Sequence, residues 1–278
     1  MARRRIADEP TSRLAIWARR CAFFSLVATI LSVIITRSGF VEIEPALATF
    51  AGALLFSVIG IVLALGAFVV VWKDGIGGAG YAFSAIGIGA ILLAYPAYLG
   101  TRAYSLPMIN DIVTDPIDPP RFDVIARLRP RGTVEYAGLY AAEQQRMAYP
   151  DIEPLVVTAT PQQAYDAAMH FMLRRKWRVI VDRPPQAGRR DGQIEAVAHT
   201  AFMGFRDDVA LRVRPDGEGA RIDVRSASRY GRHDLGANAS RIKSLLEEID
   251  GRLATQRDAP AREQPQQKPP AKGQAPKR

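Results

Sequence analysis

The densest set of reactive side chains lies between Arg225 and Arg241, where arginines, serines, a carboxylate and an amide alternate with glycines. A guanidinium group binds phosphate or carboxylate through two parallel hydrogen bonds. A helix that starts here would add N–H groups and the positive end of its dipole. The pattern predicts either a binding site for an anionic ligand or a structural network of arginines and the chain's own carboxylates. Both interpretations use the same candidates: Arg225, Ser226, Ser228, Arg229, Arg232, Asp234, Asn238, Arg241, Glu195, Asp207 and Asp208.

The same segment contains a serine, a histidine and an aspartate, which are the residue types of a hydrolytic triad. Closeness along the chain does not by itself produce the geometry of a triad, and the sequence has no Gly-x-Ser-x-Gly motif. We therefore predict no catalytic residue and a chain that is not an enzyme, with a hydrolase as the alternative. The residues in question are Ser226 or Ser228, His233 and Asp234.

Two sets of carboxylates offer oxygen ligands to a metal ion. Neither set has the spacing of a ligand motif, and the many nearby arginines favour ion pairs instead. Three histidines and a single cysteine, Cys21, leave almost no ligands for a structural zinc site. We therefore predict no metal and no cofactor. The two sets are Glu195, Asp207 and Asp208, and Asp111, Asp115 and Asp118.

The elements that must hold these residues begin with three apolar runs, at about 14–36, 46–72 and 79–99. Roughly 20 apolar residues in a helix cross the hydrocarbon core of a bilayer, so each run is predicted to be a transmembrane helix. The second and third runs contain no acidic residue, lysine or histidine. Because an ion or proton pathway needs such groups, we interpret the helices as an anchor or a packing module.

Charge beside the apolar runs predicts their orientation, since Lys and Arg that flank membrane spans stay in the cytoplasm. Six arginines precede the first run or lie at its start, against two acidic residues. The first loop is acidic, with Glu42 and Glu44 against Arg37. We therefore expect a cytoplasmic N-terminus, a second turn that returns to the cytoplasm, and an external location for everything after the third run.

The formal net charge of +9 raises the question of nucleic-acid binding, which its distribution answers. Residues 101–253 contain 23 basic and 21 acidic side chains, so this part of the chain is nearly neutral. The excess positive charge lies at the two ends of the chain. No nucleic-acid partner is predicted.

Beyond the first segment, 1–100, the chain divides into three more by composition. Residues 101–150 are rich in Pro and Asp and predict an extended connector with one short helix. Residues 151–253 predict a soluble domain. Residues 254–278 are mostly Gln, Pro, Lys and Ala, with almost no apolar bulk to bury, and predict a disordered tail.

Within the soluble domain, three segments alternate apolar and polar side chains with a period of two. This predicts an antiparallel sheet with one buried face and one wet face. Helices predicted at 161–176 and 242–253 have apolar stripes that would cover the buried face. The fold class is therefore α+β, with three N-terminal transmembrane helices before a small sheet covered by helices on one face. The apolar residues within 202–205 are expected to pack under the final helix, with an exposed tip as the alternative.

A few short segments carry a family resemblance. They are Asn110-Asp111, Tyr149-Pro150, Ile194-Glu195-Ala196, Gly204-Phe205-Arg206-Asp207-Asp208, 223–238 and Arg241-Ile242. Together they resemble the DUF1499 family of uncharacterised bacterial proteins over about residues 108–252. The resemblance implies a membrane-tethered protein of the bacterial envelope, so the predicted location is the inner membrane with a periplasmic domain. It implies no catalytic residues.

These observations predict a non-enzymatic binding or interaction module. The expected partners are the lipid bilayer and either an anionic or amphiphilic envelope ligand or another envelope protein. Two other functions stay open on the sequence alone: a hydrolase that acts on an envelope ester or phosphate, and a membrane-embedded assembly factor in which the soluble domain is secondary.

Overall fold

A computed structural model describes residues 10–129, 138–188 and 190–258. The arginines at positions 3–5 and nearly all of the predicted tail lie outside these residues. The described chain contains seven helices and six strands, in an α+β arrangement that follows the predicted fold class. The last helix extends to Asp258, which is inside the segment that composition predicts as tail.

The first three helices are α1 (Arg13–Ser38), α2 (Ile43–Asp74) and α3 (Ala79–Ser105). All three are long and apolar enough to cross a membrane. Their large apolar side chains point outward, as Phe23 and Val27 of α1 do. A soluble protein would bury such side chains, whereas a bilayer solvates them. The outward surface of this bundle is therefore suited to lipid.

Small residues at spacings of three and four form the seam between α1 and α2. Ser25 of α1 donates a hydrogen bond to the carbonyl of Ala53 at 2.7 Å, and Ser32 donates one to the carbonyl of Ala46 at 3.2 Å. Small side chains let helix backbones approach closely in lipid, where dispersion and hydrogen bonds drive packing. The buried residues of α1 are Ala15, Ala18, Ala22, Ser25, Thr29, Ser32 and Thr36.

Six antiparallel strands form the sheet of the second half. In order across the sheet the strands are β1, β6, β5, β4 and β3, and β2 pairs with the other end of β6. β1 comes from the predicted connector, so part of that segment is a strand of the sheet. The strands are β1 (Asp111–Val113), β2 (Leu155–Val157), β3 (Arg178–Arg183), β4 (Gly192–His199), β5 (Arg206–Asp216) and β6 (Gly219–Ser228).

Two helices, α6 (Pro161–Arg174) and α7 (Ala237–Asp258), pack on one face of the sheet and enclose the main hydrophobic core. The start of α6 has the predicted capping box, in which Thr160 and Gln163 exchange hydrogen bonds between side chain and backbone. Alternate residues of the strands, such as Leu211 and Ile222, are fully buried against these helices. The core therefore lies where the period-two pattern predicts it.

The opposite face of the sheet is covered as well, which corrects the prediction of a wet face. Residues 114–129, called the strap below, cross this face and include the short helix α4 (Ile125–Leu128). Glu195 and Asp223 on this face are fully buried. The period-two pattern cannot distinguish a face open to water from a polar face that pairs its charges under a covering segment.

Helix α5 (Gly138–Ala148) lies beside the edge strand β1. The Gln145 amide donates to the carbonyl of Val113 at 2.6 Å and accepts from its N–H at 3.0 Å. A side-chain amide thus forms the pair of bonds that a neighbouring strand would form.

The sheet domain packs against one end of the helix bundle. Arg37 at the end of α1 donates to the carbonyl of Ala201 at 2.5 Å, and Arg102 near the end of α3 donates to the carbonyl of Leu235 at 2.9 Å. The N–H of Ser12, before α1, bonds to the carbonyl of Gly77 at the other end of the bundle. Residue 12 and the sheet domain therefore lie at opposite ends of the three helices.

The seam between α1 and α2 predicts the effect of added bulk. Ala18→Leu places a large side chain where the exposed fraction is zero, so we expect a loss of about 1–3 kcal/mol in the free energy of unfolding, or a separation of the two helices. The midpoint of thermal unfolding of the detergent-solubilised chain measures this loss of stability. Val27→Leu, on the outward side of the same helix, is the control and should leave the midpoint unchanged. Equal midpoints for the two variants would contradict a packed seam.

Candidate functional site

The residues that the sequence groups together are divided between the two faces of the sheet. Side chains alternate along a strand, so Arg225 and Arg229 point to the strap while Ser226 and Ser228 point to the helices. The same alternation separates Asp207 from its neighbour Asp208 on β5. The candidate constellation is therefore two clusters, one on each face of the sheet.

The cluster on the helix face connects β6 with the start of α7. Ser226 donates to the Asn238 side chain at 2.8 Å, and Arg241 forms an ion pair with Asp207. Asp234 accepts from the N–H groups of Gly236 and Asn238 at 2.9 and 2.8 Å, and so occupies the N-terminus of α7 that an anion would need. Burial raises the pKa of Asp207 and of Asp234.

The cluster on the strap face consists of buried ion pairs. Arg225 binds Asp111 of β1 through two nitrogens, at 3.0 and 2.7 Å. Asp208 is fully buried and is held by Arg229 at 2.7 Å and by Arg129 of the strap at 2.6 Å. Two carboxylates in this layer thus pair with three arginines from two parts of the chain, the end of β6 and the strap.

An aromatic ring of the strap lies beside two of these arginines. The guanidinium carbons of Arg129 and Arg225 are 4.6 and 4.7 Å from the centre of the Phe122 ring. Such stacking adds cation–π attraction to the ion pairs. Because Arg225 and Asp208 are buried, their electrostatic interactions are screened less than those of exposed pairs.

The remaining buried carboxylates of the strap face use other partners. Glu195 accepts hydrogen bonds from the backbone N–H groups of residues 123–125, two of them at 2.8 Å, rather than from an arginine. Asp223 is held by arginines of β5 and β6, at positions 212, 214 and 221. Arg232 is exposed and has no hydrogen bond or ion pair within the described chain.

The triad residue types lie in the same region without contacting one another as a triad. The Nε2 atom of His233 is 3.3 Å from the carbonyl of Ala103, and its Nδ1 accepts from the N–H of Leu235. The Ser226 hydroxyl donates to Asn238 instead. Within the described residues no group of three or more His, Cys, Asp or Glu side chains is close enough to hold a metal ion.

A feature that the sequence did not indicate is a cavity between the helix bundle and the sheet domain, called the junction cavity below. Its volume is about 550 Å³, within the roughly 300–1,000 Å³ typical of small-molecule sites. Its walls are mostly apolar. They include Leu47 of α2, Tyr95, Tyr98, Leu99 and Arg102 of α3, and His199, Phe202, Met203, Phe205, Arg206, Tyr230 and Leu235 of the sheet domain.

The loop between β4 and β5 forms part of this cavity. The Phe202 ring lies 4.7 Å from that of Tyr95 and 6.4 Å from that of Phe50. This corrects the expectation that residues 202–205 pack under the final helix, because Phe202 packs against the membrane helices. Phe202 is 39 % exposed, so part of this apolar ring remains on the surface of the cavity wall.

Basic side chains lie around the junction cavity. Arg206 is exposed, and its guanidinium has no hydrogen bond or ion pair in the part of the chain described. The pKa of His199 is lowered by burial and by the positive charges of Arg206 and Arg37. On the α3 side, Arg102 lies against Gly236, where a Cβ atom would come within 2.5 Å of the guanidinium.

These residues carried a weak signal in the sequence. Arg37 and Arg102 lie within three residues of the ends of predicted membrane spans, where lipid headgroups are expected. Nothing in the spacing links them to Arg206, which is more than one hundred residues further along the chain. Only the packing of the domain on the helix ends brings them together.

Comparison with known proteins identifies the second half of the chain. The family model described as "Protein of unknown function (DUF1499)" matches residues 111–249. No curated protein matches the chain. Solved structures that match include the crystal structure of Ara h 8.0201, which is 8% identical with a TM-score of 0.24 and covers 37% of this chain and 95% of that one.

The buried pair of Arg225 and Asp111 predicts a stability that depends on pH. Arg225→Ala leaves a carboxylate that is only 5% exposed without its cation, which should cost about 3–5 kcal/mol in the free energy of unfolding at neutral pH. Burial already raises the pKa of Asp111 above its ordinary value of 3.8, and Arg225 opposes that rise. The variant should therefore raise the pKa further. As pH falls through this raised pKa, Asp111 takes up a proton and the difference in stability from the parent should shrink.

Chemical unfolding of the detergent-solubilised chain at several pH values measures this effect. Adding Asp111→Asn to Arg225→Ala removes the titrating group, so the double variant should lose the recovery at low pH. Arg232→Ala, an exposed arginine from the same segment, should change stability by less than about 0.5 kcal/mol. If Arg225→Ala lowers the free energy of unfolding by the same amount at every pH, the lost ion pair is not the cause.

Proposed function

The chain belongs to the DUF1499 family of proteins of unknown function, and on that premise we propose that it is a non-enzymatic, membrane-anchored binding module of the bacterial envelope. Its ligand is an amphiphile that enters the junction cavity. The observation that carries the proposal is the position of that cavity: its walls come from the ends of apolar membrane helices on one side and from the sheet domain on the other.

The shape and chemistry of the cavity favour an amphiphile over a small polar solute. Leu47, Leu99 and Phe202 give it apolar walls, which gain free energy by covering a hydrocarbon chain. Arg102 and Arg206 supply positive charge at its border. A ligand with an apolar part and an anionic part matches both features.

The clusters on the two faces of the sheet support a structural role for most of the candidate arginines. Arg225, Arg229 and Arg241 are each paired with a carboxylate of the chain itself. A ligand that used them would have to displace those carboxylates and leave them buried without a partner, at a high cost in free energy. We therefore assign ligand binding to the junction cavity instead.

We further propose that the module lies on the outer side of the inner membrane. The charge pattern favours a cytoplasmic N-terminus, and the sheet domain lies at the end of the bundle opposite to Ser12. With three spans, the domain is then periplasmic. The sheet domain contacts the ends of α1 and α3 directly, so the cavity between them lies at the surface of the bilayer.

Filling the junction cavity should remove the ligand. Leu99→Trp adds bulk to a half-buried position in the cavity wall. Because overpacking costs about 1–3 kcal/mol, occupancy should fall roughly tenfold. Native mass spectrometry of the full chain in mild detergent measures bound amphiphiles that copurify. The matched control is Ala97→Trp, an exposed position on the same helix outside the cavity wall. Equal retention by the two variants, or a parent that carries no bound amphiphile, would contradict the proposal.

The orientation can be tested with a reporter that is active only outside the cytoplasm. Alkaline phosphatase fused after residue 278 should be active in bacterial cells. The same enzyme fused after Gly75, in the turn between α2 and α3, should be inactive because that turn is predicted to face the cytoplasm. The reverse pattern of activity would place the domain in the cytoplasm and overturn the proposed location.

A further inference from the structure

Resting on the proposed function, we infer that the ligand is a lipid with an anionic phosphate headgroup and that Arg206 binds the phosphate. A second cavity of about 250 Å³ adjoins the junction cavity at the loop between α1 and α2. It is called the loop cavity below. The two cavities share part of their walls, including His199, Arg206 and Tyr230.

The junction cavity suits the apolar chains of a lipid, and the loop cavity suits its polar headgroup. The junction cavity has mostly apolar walls. The loop cavity is lined largely by polar side chains and backbone, among them Thr36, Arg37 and Glu42. Arg206 stands between them, so a headgroup at this residue places the attached chains beside Phe202 and Tyr95.

Charge at the loop cavity favours an anion. Arg37, Arg206 and His199 face it, against one carboxylate, the exposed Glu42. Asp207 lies nearby but is already paired with Arg241. The local balance is positive even with His199 neutral, and a phosphate lowers the repulsion between the two arginines.

The arginines differ in their availability. Arg37 uses one nitrogen to donate to the carbonyls of Ala201 and Phe202, at 2.5 and 3.1 Å, and so fixes the loop between β4 and β5. Arg206 has no such commitment in the described chain, and its guanidinium lies beside Gly39 at the end of α1. A free planar guanidinium matches the oxygens of a phosphate in two parallel hydrogen bonds.

The depth of the site in the membrane points to a lipid as the source of the phosphate. Gly39 is the C-cap of α1, a predicted membrane span, so Arg206 lies at the level where a bilayer has its phosphates. A free phosphate would use the loop cavity alone and leave the apolar walls of the junction cavity uncovered. A lipid covers both, which is the stronger interaction.

The test compares two lipids with the same acyl chains. The full chain in mild detergent is mixed with dioleoyl phosphatidylglycerol or with dioleoylglycerol, which has no phosphate, and retention is measured by native mass spectrometry. The parent should retain phosphatidylglycerol roughly tenfold better, as expected for one charge-assisted pair of hydrogen bonds. Arg206→Gln should retain the two lipids equally. The matched control Arg232→Gln, an exposed arginine outside both cavities, should keep the preference.

The outcomes separate this inference from the function on which it rests. Equal retention of both lipids by the parent would overturn the phosphate assignment, while loss of both in Leu99→Trp would still support the junction cavity as the binding site. A parent that retains neither lipid contradicts both. Inorganic phosphate in molar excess should not displace phosphatidylglycerol, and displacement would overturn the lipid as the source of the phosphate.

Discussion

The need to neutralise buried charge on the strap face is the constraint on which the sheet domain depends. Asp208, Glu195 and Asp223 have no exposed surface, and an isolated carboxylate in such a place is prohibitively costly. Asp208 and Glu195 have partners in the strap, and Asp223 is held by arginines of β5 and β6. The strap must lie where Arg129 and the N–H groups of residues 123–125 reach Asp208 and Glu195, because without the strap Glu195 would lose these hydrogen bonds.

This arrangement leaves the opposite end of the domain free to meet the membrane. With both sheet faces covered, the loop between β4 and β5 and the segment before α7 are the parts that reach the helix ends. They contact α1 and α3 through Arg37, Arg102 and His233 and through the ring pair of Phe202 and Tyr95. The gap that remains between these contacts is the junction cavity.

The sequence predicted the elements well because each depends on local patterns. Apolar runs locate α1, α2 and α3, and Thr160 with Gln163 marks the start of α6. The contacts of the candidate site were harder to predict from the sequence. The partner of Arg225 is Asp111, which is 114 positions away, and Glu195 uses backbone groups that have no sequence signature. Alternation along β6 also separated candidates that neighbour each other in the chain. Such long-range pairings follow from topology, which no local pattern encodes.

The amide of Gln145 closes one edge of the sheet, and this limits how other proteins can attach to the domain. Open strand edges recruit further strands, in function or in aggregation. Here the outward N–H and carbonyl of Val113 in β1 are bonded by a side chain, β2 has only three residues, and β3 has a register shift between Val179 and Val181. A neighbouring protein would thus have to recognise this domain through its side chains, because the sheet offers no long, regular edge on which it could be extended.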